Sequence, residues 1–141
     1  AQALVPMARI AGFDPVVVEP RAAFGSEARF PRETIVEDWP DEALDKLGLD
    51  ARTALVLLTH DPKLDDPALH RALVSDAFYI GALGSKRTHA KRVDRLTADG
   101  FSPQQIERIK APVGLDIGAS GPAEIAVSVL AQMIAQLRGG A

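Results

Sequence analysis

The run Gly81-Ala82-Leu83-Gly84-Ser85-Lys86-Arg87 combines the ingredients of an anion site. Glycines let the backbone approach a ligand closely, and the first turn of a helix carries N–H groups without intrahelical partners. Lys86 and Arg87 add positive charge at the same point. That set suits an anionic small molecule, most simply a phosphate. A turn followed by a solvated basic helix is the plainer alternative, since Arg87, Lys91 and Arg95 share one stripe, as exposed helices often show. Three other segments carry groups of use to a ligand: Glu19-Pro20-Arg21, Thr59-His60-Asp61, and the stretch from Asp116 to Ser120. His60 and Asp61 have the chemistry to hydrogen-bond a ligand or to act as acid and base. A lone His-Asp pair serves more often as a turn and helix cap, and spacing alone favours that. Asp116, between glycines, either bonds its own backbone or faces a ligand. No catalytic residue is assigned. His70 and His89 read as helix-surface residues whose spacing makes no metal site, and Met7, Trp39 and Met133 as packing residues.

These segments fall between elements that position them. Leu4, Met7, Ala8 and Ala11 form one helical stripe ended by Gly12, with Pro6 forcing a kink or a late start. Pro15-Val16-Val17-Val18-Glu19 reads as a short buried strand, residues 20 to 33 as a loop, and Thr34-Ile35-Val36 as a second strand. Asp41 to Leu47 reads as a helix capped by Asp41 and stopped by Gly48. Residues Thr53 to Thr59 form a strand apolar on both faces, as parallel strands covered by helices are. A helix follows from Asp65 or Asp66, with Pro67 near its first position and Leu69, Leu73 and Val74 facing the core. Next come a buried strand over 77–80, the glycine loop, and a helix to about Asp99 stopped by Gly100. Ser102-Pro103-Gln104-Gln105 is a capping-box start for a short helix to Ile109. Residues 111–118 are extended. The last helix runs from Gly121-Pro122 to Gly139-Gly140, with Ile125, Val129, Met133 and Leu137 on a wide apolar face.

Alternating helices and buried strands predict a doubly wound, mainly parallel α/β sheet. In such a sheet the ligand lies at the carboxyl ends of the strands, where all four polar segments belong. The 141 residues make one domain's worth of chain, with no internal repeat and no linker. No apolar stretch is long enough to span a bilayer, and the formal charge of −3 argues against nucleic acid as the main partner. With no cysteine there is no disulfide framework and no thiolate metal site. The default location is the cytoplasm.

An acid ending the second strand, about 20 residues after a glycine loop, belongs to the dinucleotide-binding fingerprint. Glu19 supplies the acid. Counting back, Ala1 falls where the third small residue of that loop would stand. The expectation is that the first strand and its glycine loop precede this sequence. The order 3-2-1-4-5 then puts an intervening strand between 16–18 and 54–58, from upstream residues or from a second copy in a swapped homodimer.

Several segments together resemble the C-terminal Rossmann domain of the XdhC/CoxI family, the xanthine dehydrogenase accessory factors. They are Val17-Val18-Glu19-Pro20-Arg21 with Phe24 and Phe30-Pro31; Leu58-Thr59-His60-Asp61; Tyr79 to Arg87; Pro112 to Ala119; and Pro122 to Ser128. They cover nearly the whole chain in family order. The acid after the second strand, often Asp in the family, is Glu19 here. The resemblance implies a maturation factor that binds the molybdenum cofactor, promotes exchange of an oxo for a sulfido ligand, and delivers the cofactor to a molybdenum hydroxylase apoenzyme. It also implies a sulfur donor such as a cysteine desulfurase. It casts Glu19, Arg21, Thr59, His60, Asp61, Gly81, Gly84, Ser85, Lys86, Arg87 and Asp116 as cofactor-binding residues. Two other functions remain open on sequence. One is an NAD(P)-dependent oxidoreductase domain, by fold analogy alone and without a Tyr-Lys pair or a cysteine nucleophile. The other is an interaction module with a vestigial pocket.

Overall fold

The computed structural model describes residues 3–18, 34–36, 38–59 and 61–139. Along the chain they form α1 (Leu4–Ile10), β1 (Val16–Val18), β2 (Thr34–Val36), α2 (Pro40–Leu47), β3 (Ala54–Leu57), α3 (Pro62–Ala72), β4 (Tyr79–Ala82), α4 (Lys86–Ala98), α5 (Pro103–Ile106), β5 (Ile109–Lys110) and α6 (Gly121–Leu137). Among the described residues every strand pair is parallel, and helices connect β3 to β4 and β4 to β5 as parallel pairing requires. The pairs fall into two sheets, β1-β2 and β3-β4-β5. Among the described residues β1 and β3, the strands expected to flank a further strand, are not paired with each other.

The three-stranded sheet is covered on both faces, and its side chains alternate between two cores as a period of two requires. Leu57, Ile80, Ala82 and Ile109 face one core, with Leu44 of α2, Leu69 and Ala72 of α3, Leu96 of α4 and Ile106 of α5. Tyr79, Ala54, Val56 and Val113 face the other, with Leu4 of α1 and Ala126, Val129 and Met133 of α6. The result is a three-layer α/β domain.

Local chemistry moved several boundaries. Asp41 does not cap α2: Trp39 holds the cap position and Pro40 the first helical position, where its missing N–H costs nothing. α3 starts at Pro62 rather than at Asp65 or Asp66. Its cap is Asp61, whose carboxylate accepts the Lys63 N–H at 3.0 Å. Pro67 therefore lies inside the helix, and Val74, expected to face the core, is 69% exposed just beyond it. β4 runs on through Gly81 to Ala82, and the helix expected to reach Ile109 stops at Ile106 so that Ile109 can join β4 as β5. Ser102 and Gln105 do form the reciprocal capping box. Pro6 falls in the first turn of α1, where no partner for its missing N–H is required. β1 and β3 are half-buried rather than enclosed. Among the described residues no helix is long and apolar enough to cross a membrane.

Candidate functional site

Parallel pairing sends the chain out of β3, β4 and β5 at one common edge. Leu83 N–H donates to Leu57 O at 2.8 Å and Val113 N–H to Ala82 O at 3.2 Å, which lays the three outgoing segments side by side. Thr59 and Asp61 leave β3 there, Gly84 to Arg87 leave β4, and Asp116 lies in the exposed stretch after β5. Glu19, Arg21 and His60 lie outside the described residues.

The β4 exit is a tight turn into α4. Gly84 has φ of +136°, and a side chain added there would meet Thr88 Cγ2 at 3.1 Å. Ser85 caps the helix: its Oγ accepts the Thr88 N–H at 3.1 Å, and its carbonyl accepts the His89 N–H at 2.9 Å. The amides of Lys86 and Arg87 remain as the free N–H groups of the first turn. Both side chains are exposed. α2, α3 and α6 carry Asp41 and Glu42, Asp65, and Glu124 in their first turns; α1, α4 and α5 carry no acid there, and of the described helices only α4 opens on two cations. Two cations stand at the positive end of its dipole, a position that favours anions.

Gly81 differs from Gly84. It is the third residue of β4 and buried, not part of the loop as its sequence context suggested. An added Cβ would sit 2.6 Å from Val113 Cγ2 and 2.8 Å from the Tyr79 ring. Close packing of the sheet accounts for this glycine.

Beneath the edge lies a polar cluster that sequence reasoning missed. Arg92 is 2% exposed and Asp65 3% exposed. Arg92 Nη2 donates to Leu83 O at 3.2 Å and stands 4.0 Å from Asp65 Oδ2, while Nη1 meets His89 Nδ1 at 3.3 Å. Asp65 accepts from Thr59 Oγ1 at 2.7 Å, and Thr59 Oγ1 accepts the Asp61 N–H at 3.2 Å. Arg92 Nε has no partner among the described residues. Burial pushes the Asp65 carboxyl up, against the Thr59 bond and the Arg92 charge, and burial lowers the Arg92 guanidinium. The His89 imidazole is lowered by burial and then by Arg92. Arg92 lies one turn before the buried Leu96, so a cation on the core stripe of α4 was the available signal. A second tie joins the same helices, where Arg95 binds Asp66 through Nε at 2.7 Å and Nη2 at 3.2 Å. Farther along the edge, Gln132 Oε1 accepts the Tyr79 O–H at 2.5 Å and the Gly114 N–H at 3.0 Å, fastening the β5 exit to β4 and α6.

The edge thus offers the backbone N–H groups of the first turn of α4 and two exposed cations, a donor set for an anion. No group of three or more metal-ligating side chains occurs among the described residues.

Comparison with known proteins fits this geometry. The family model for the XdhC Rossmann domain matches residues 1–133. A Bacillus subtilis (strain 168) protein, named as a probable xanthine dehydrogenase subunit, is 34% identical over 134 residues, spanning 92% of this chain and 38% of its own length. The molybdenum cofactor insertion chaperone PaoD of Escherichia coli (strain K12) is 41% identical over 85 residues, 60% of this chain and 27% of PaoD. The chain therefore spans well under half the length of these relatives. A crystal structure of a xanthine dehydrogenase from Bacillus halodurans superposes with a TM-score of 0.81 at 34% identity, over 98% of this chain and 39% of that one.

Proposed function

The chain belongs to the XdhC Rossmann domain family, and from that premise we propose that it is the cofactor-binding part of a maturation factor for molybdenum hydroxylases. The ligand is the molybdenum cofactor, held by its phosphate at the start of α4. Ser85, Lys86 and Arg87 are the residues that hold it, with Gly84 allowing close approach and Thr59 and Asp61 lining the neighbouring exit. The observation that supports this most is the pair Lys86-Arg87 in a first turn without an acid. Cations there are unfavourable toward the helix dipole by about 0.3–1 kcal/mol each, and a bound anion reverses the sign. The donor set fits a phosphate, and nothing in it demands a protein ligand to the metal. When bound, the cofactor supplies the molybdenum centre on which an oxo ligand is exchanged for a sulfido ligand. The chain's own residues bind and orient it for transfer to a xanthine dehydrogenase-type apoenzyme, with sulfur coming from a cysteine desulfurase. The name of PaoD, an insertion chaperone, is consistent with this role.

Equilibrium binding of isolated molybdenum cofactor, followed by co-elution of molybdenum and pterin, tests the reading. Replacing Lys86 and Arg87 together by Ala should weaken binding about tenfold, equivalent to about 1.4 kcal/mol. The loss should shrink at high salt, where screening already removes much of the charge contribution. Equal affinities at low salt would reject the assignment, and tight binding of NAD(P) in place of the pterin would turn the reading toward a redox domain.

A further inference from the structure

We infer that Arg92 is the positioning residue that sets the anion-binding turn and couples it to the Thr59 exit; this rests on the proposed anion site. Three segments converge on one guanidinium. It holds the Leu83 carbonyl at 3.2 Å, immediately before the Gly84 turn. It contacts His89 Nδ1 at 3.3 Å, on the second turn of α4. It faces Asp65 at 4.0 Å, and Asp65 in turn holds the Thr59 hydroxyl at 2.7 Å. The path Thr59–Asp65–Arg92–Leu83 therefore runs from the half-buried β3 exit to the half-buried β4 exit through two buried side chains, Asp65 and Arg92.

Each end of this path fixes a backbone that matters above it. The direction of the Leu83 carbonyl fixes the peptide plane shared with Gly84, and so the entry into the Ser85 cap and the aim of the Lys86 and Arg87 amides. On the other side, the Thr59 hydroxyl accepts the Asp61 N–H at 3.2 Å, so Asp65 helps to hold the cap of α3. A purely structural role does not call for an arginine at this place. An apolar side chain of similar volume often fills such a site equally well, whereas a buried guanidinium with Nε left without a described partner is costly. What the guanidinium adds is direction: its planar fork serves several acceptors at fixed angles. Arg95, pairing with Asp66 at the half-exposed rim of the same two helices, already supplies an α3–α4 tie. Arg92 is thus not needed merely to join them.

The test uses the full chain and inorganic phosphate as probe, titrated while the amide resonances of Gly84 to Thr88 are followed. Arg92→Met should weaken phosphate binding about as much as the Lys86→Ala/Arg87→Ala pair, several-fold, although Arg92 does not reach the ligand. Combining all three changes should cost little more than either set alone, because a misaimed turn has little left to lose. Arg92→Lys, which keeps one donor toward the Leu83 carbonyl, should recover part of the affinity. Without phosphate, Arg92→Met should also speed amide hydrogen exchange at Gly84 and Ser85 and at Asp61. If Arg92→Met binds phosphate like the wild type, or the effects simply add, the inference is overturned while the anion site stands. If Lys86 and Arg87 prove irrelevant to phosphate, the anion reading fails, and the ligand-free exchange at Ser85 and Asp61 still decides the coupling. Should Arg92→Met fail to fold, the same measurements on Arg92→Lys and Asp65→Asn decide it: exchange at Gly84, Ser85 and Asp61 unchanged in both refutes the coupling.

Discussion

Val16-Val17-Val18 and Tyr79-Ile80-Gly81-Ala82 are both short apolar strands in parallel pairs, yet the structure treats them differently. All four residues of β4 are buried, with a strand on either side and a packed core on each face. β1 has one described strand neighbour, Val16 is 37% exposed, and none of its residues belongs to either core. Apolar content makes a strand; the number of covered faces and edges makes a core. The candidate site follows the same division. Thr59, Gly84, Ser85 and Asp116 hang from β3-β4-β5 and its polar ties, while Glu19 and Arg21 follow β1 outside the described residues.

The largest expected effect sharpens this contrast directly. Ile80 is 1% exposed, and Ile80→Ala should cost about 2–5 kcal/mol, because it removes buried methyl groups and leaves a cavity that a tight core relaxes into only partly. Val17→Ala removes a similar kind of surface from a half-buried site and should cost about 1 kcal/mol or less. Urea unfolding of the two variants measures the difference. Equal losses would mean that β1 is packed as tightly as β4, and the contrast between the halves would collapse.

A middle effect tests how tightly the three-stranded half is closed. Gly81→Ala places a methyl group 2.6 Å from Val113 Cγ2 and 2.8 Å from the Tyr79 ring. Overpacking of this kind costs about 1–3 kcal/mol. Val113→Ala in the same chain should return part of that loss, since the two changes share one contact. If Gly81→Ala is neutral while phosphate binding falls, Gly81 belongs to the site and not to the packing.

Much of the fold was legible because its signals are local. Ser102 and Gln105 spell their capping box three residues apart, and Gly48 and Gly100 mark helix ends by chemistry that needs no tertiary partner. The Gly84 turn into α4 was legible for the same reason. What escaped depends on neighbours distant in sequence. Ile109 reads as the end of a helix until β4 is available to pair with it. Gly81 reads as loop until Val113 and Tyr79 press against it. Asp65 reads as a helix start, and nothing local shows that Arg92 is its buried neighbour 27 positions away. Asp61 carried two readings at once, ligand contact and helix cap; the structure shows the cap, and the ligand contact stays part of the proposal.

The smallest expected effect concerns pH and separates the polar ties of the three-stranded half from its apolar core. His89 is half-buried against Arg92, and burial first, then the Arg92 charge, hold its imidazole below the ordinary value of 6.5. The unfolded chain therefore takes up this proton at a higher pH than the folded one. Folding then favours the neutral ring, and its stabilisation is fully present above the unfolded value. It is lost progressively as pH falls below about 6.5 toward the lower folded value. In that window a protonated ring would stand against the guanidinium that holds the Leu83 carbonyl. His89→Gln keeps a polar side chain of similar reach and removes the titration. Unfolding free energies at about pH 7.5 and about pH 5.5 should therefore show a slightly steeper acid-side decline in wild type than in His89→Gln, the difference kept small by solvent screening of a partly exposed ring. Parallel profiles would show that the ring is solvated in both states, and the tie between α4 and the anion turn would then be looser than the core beneath it.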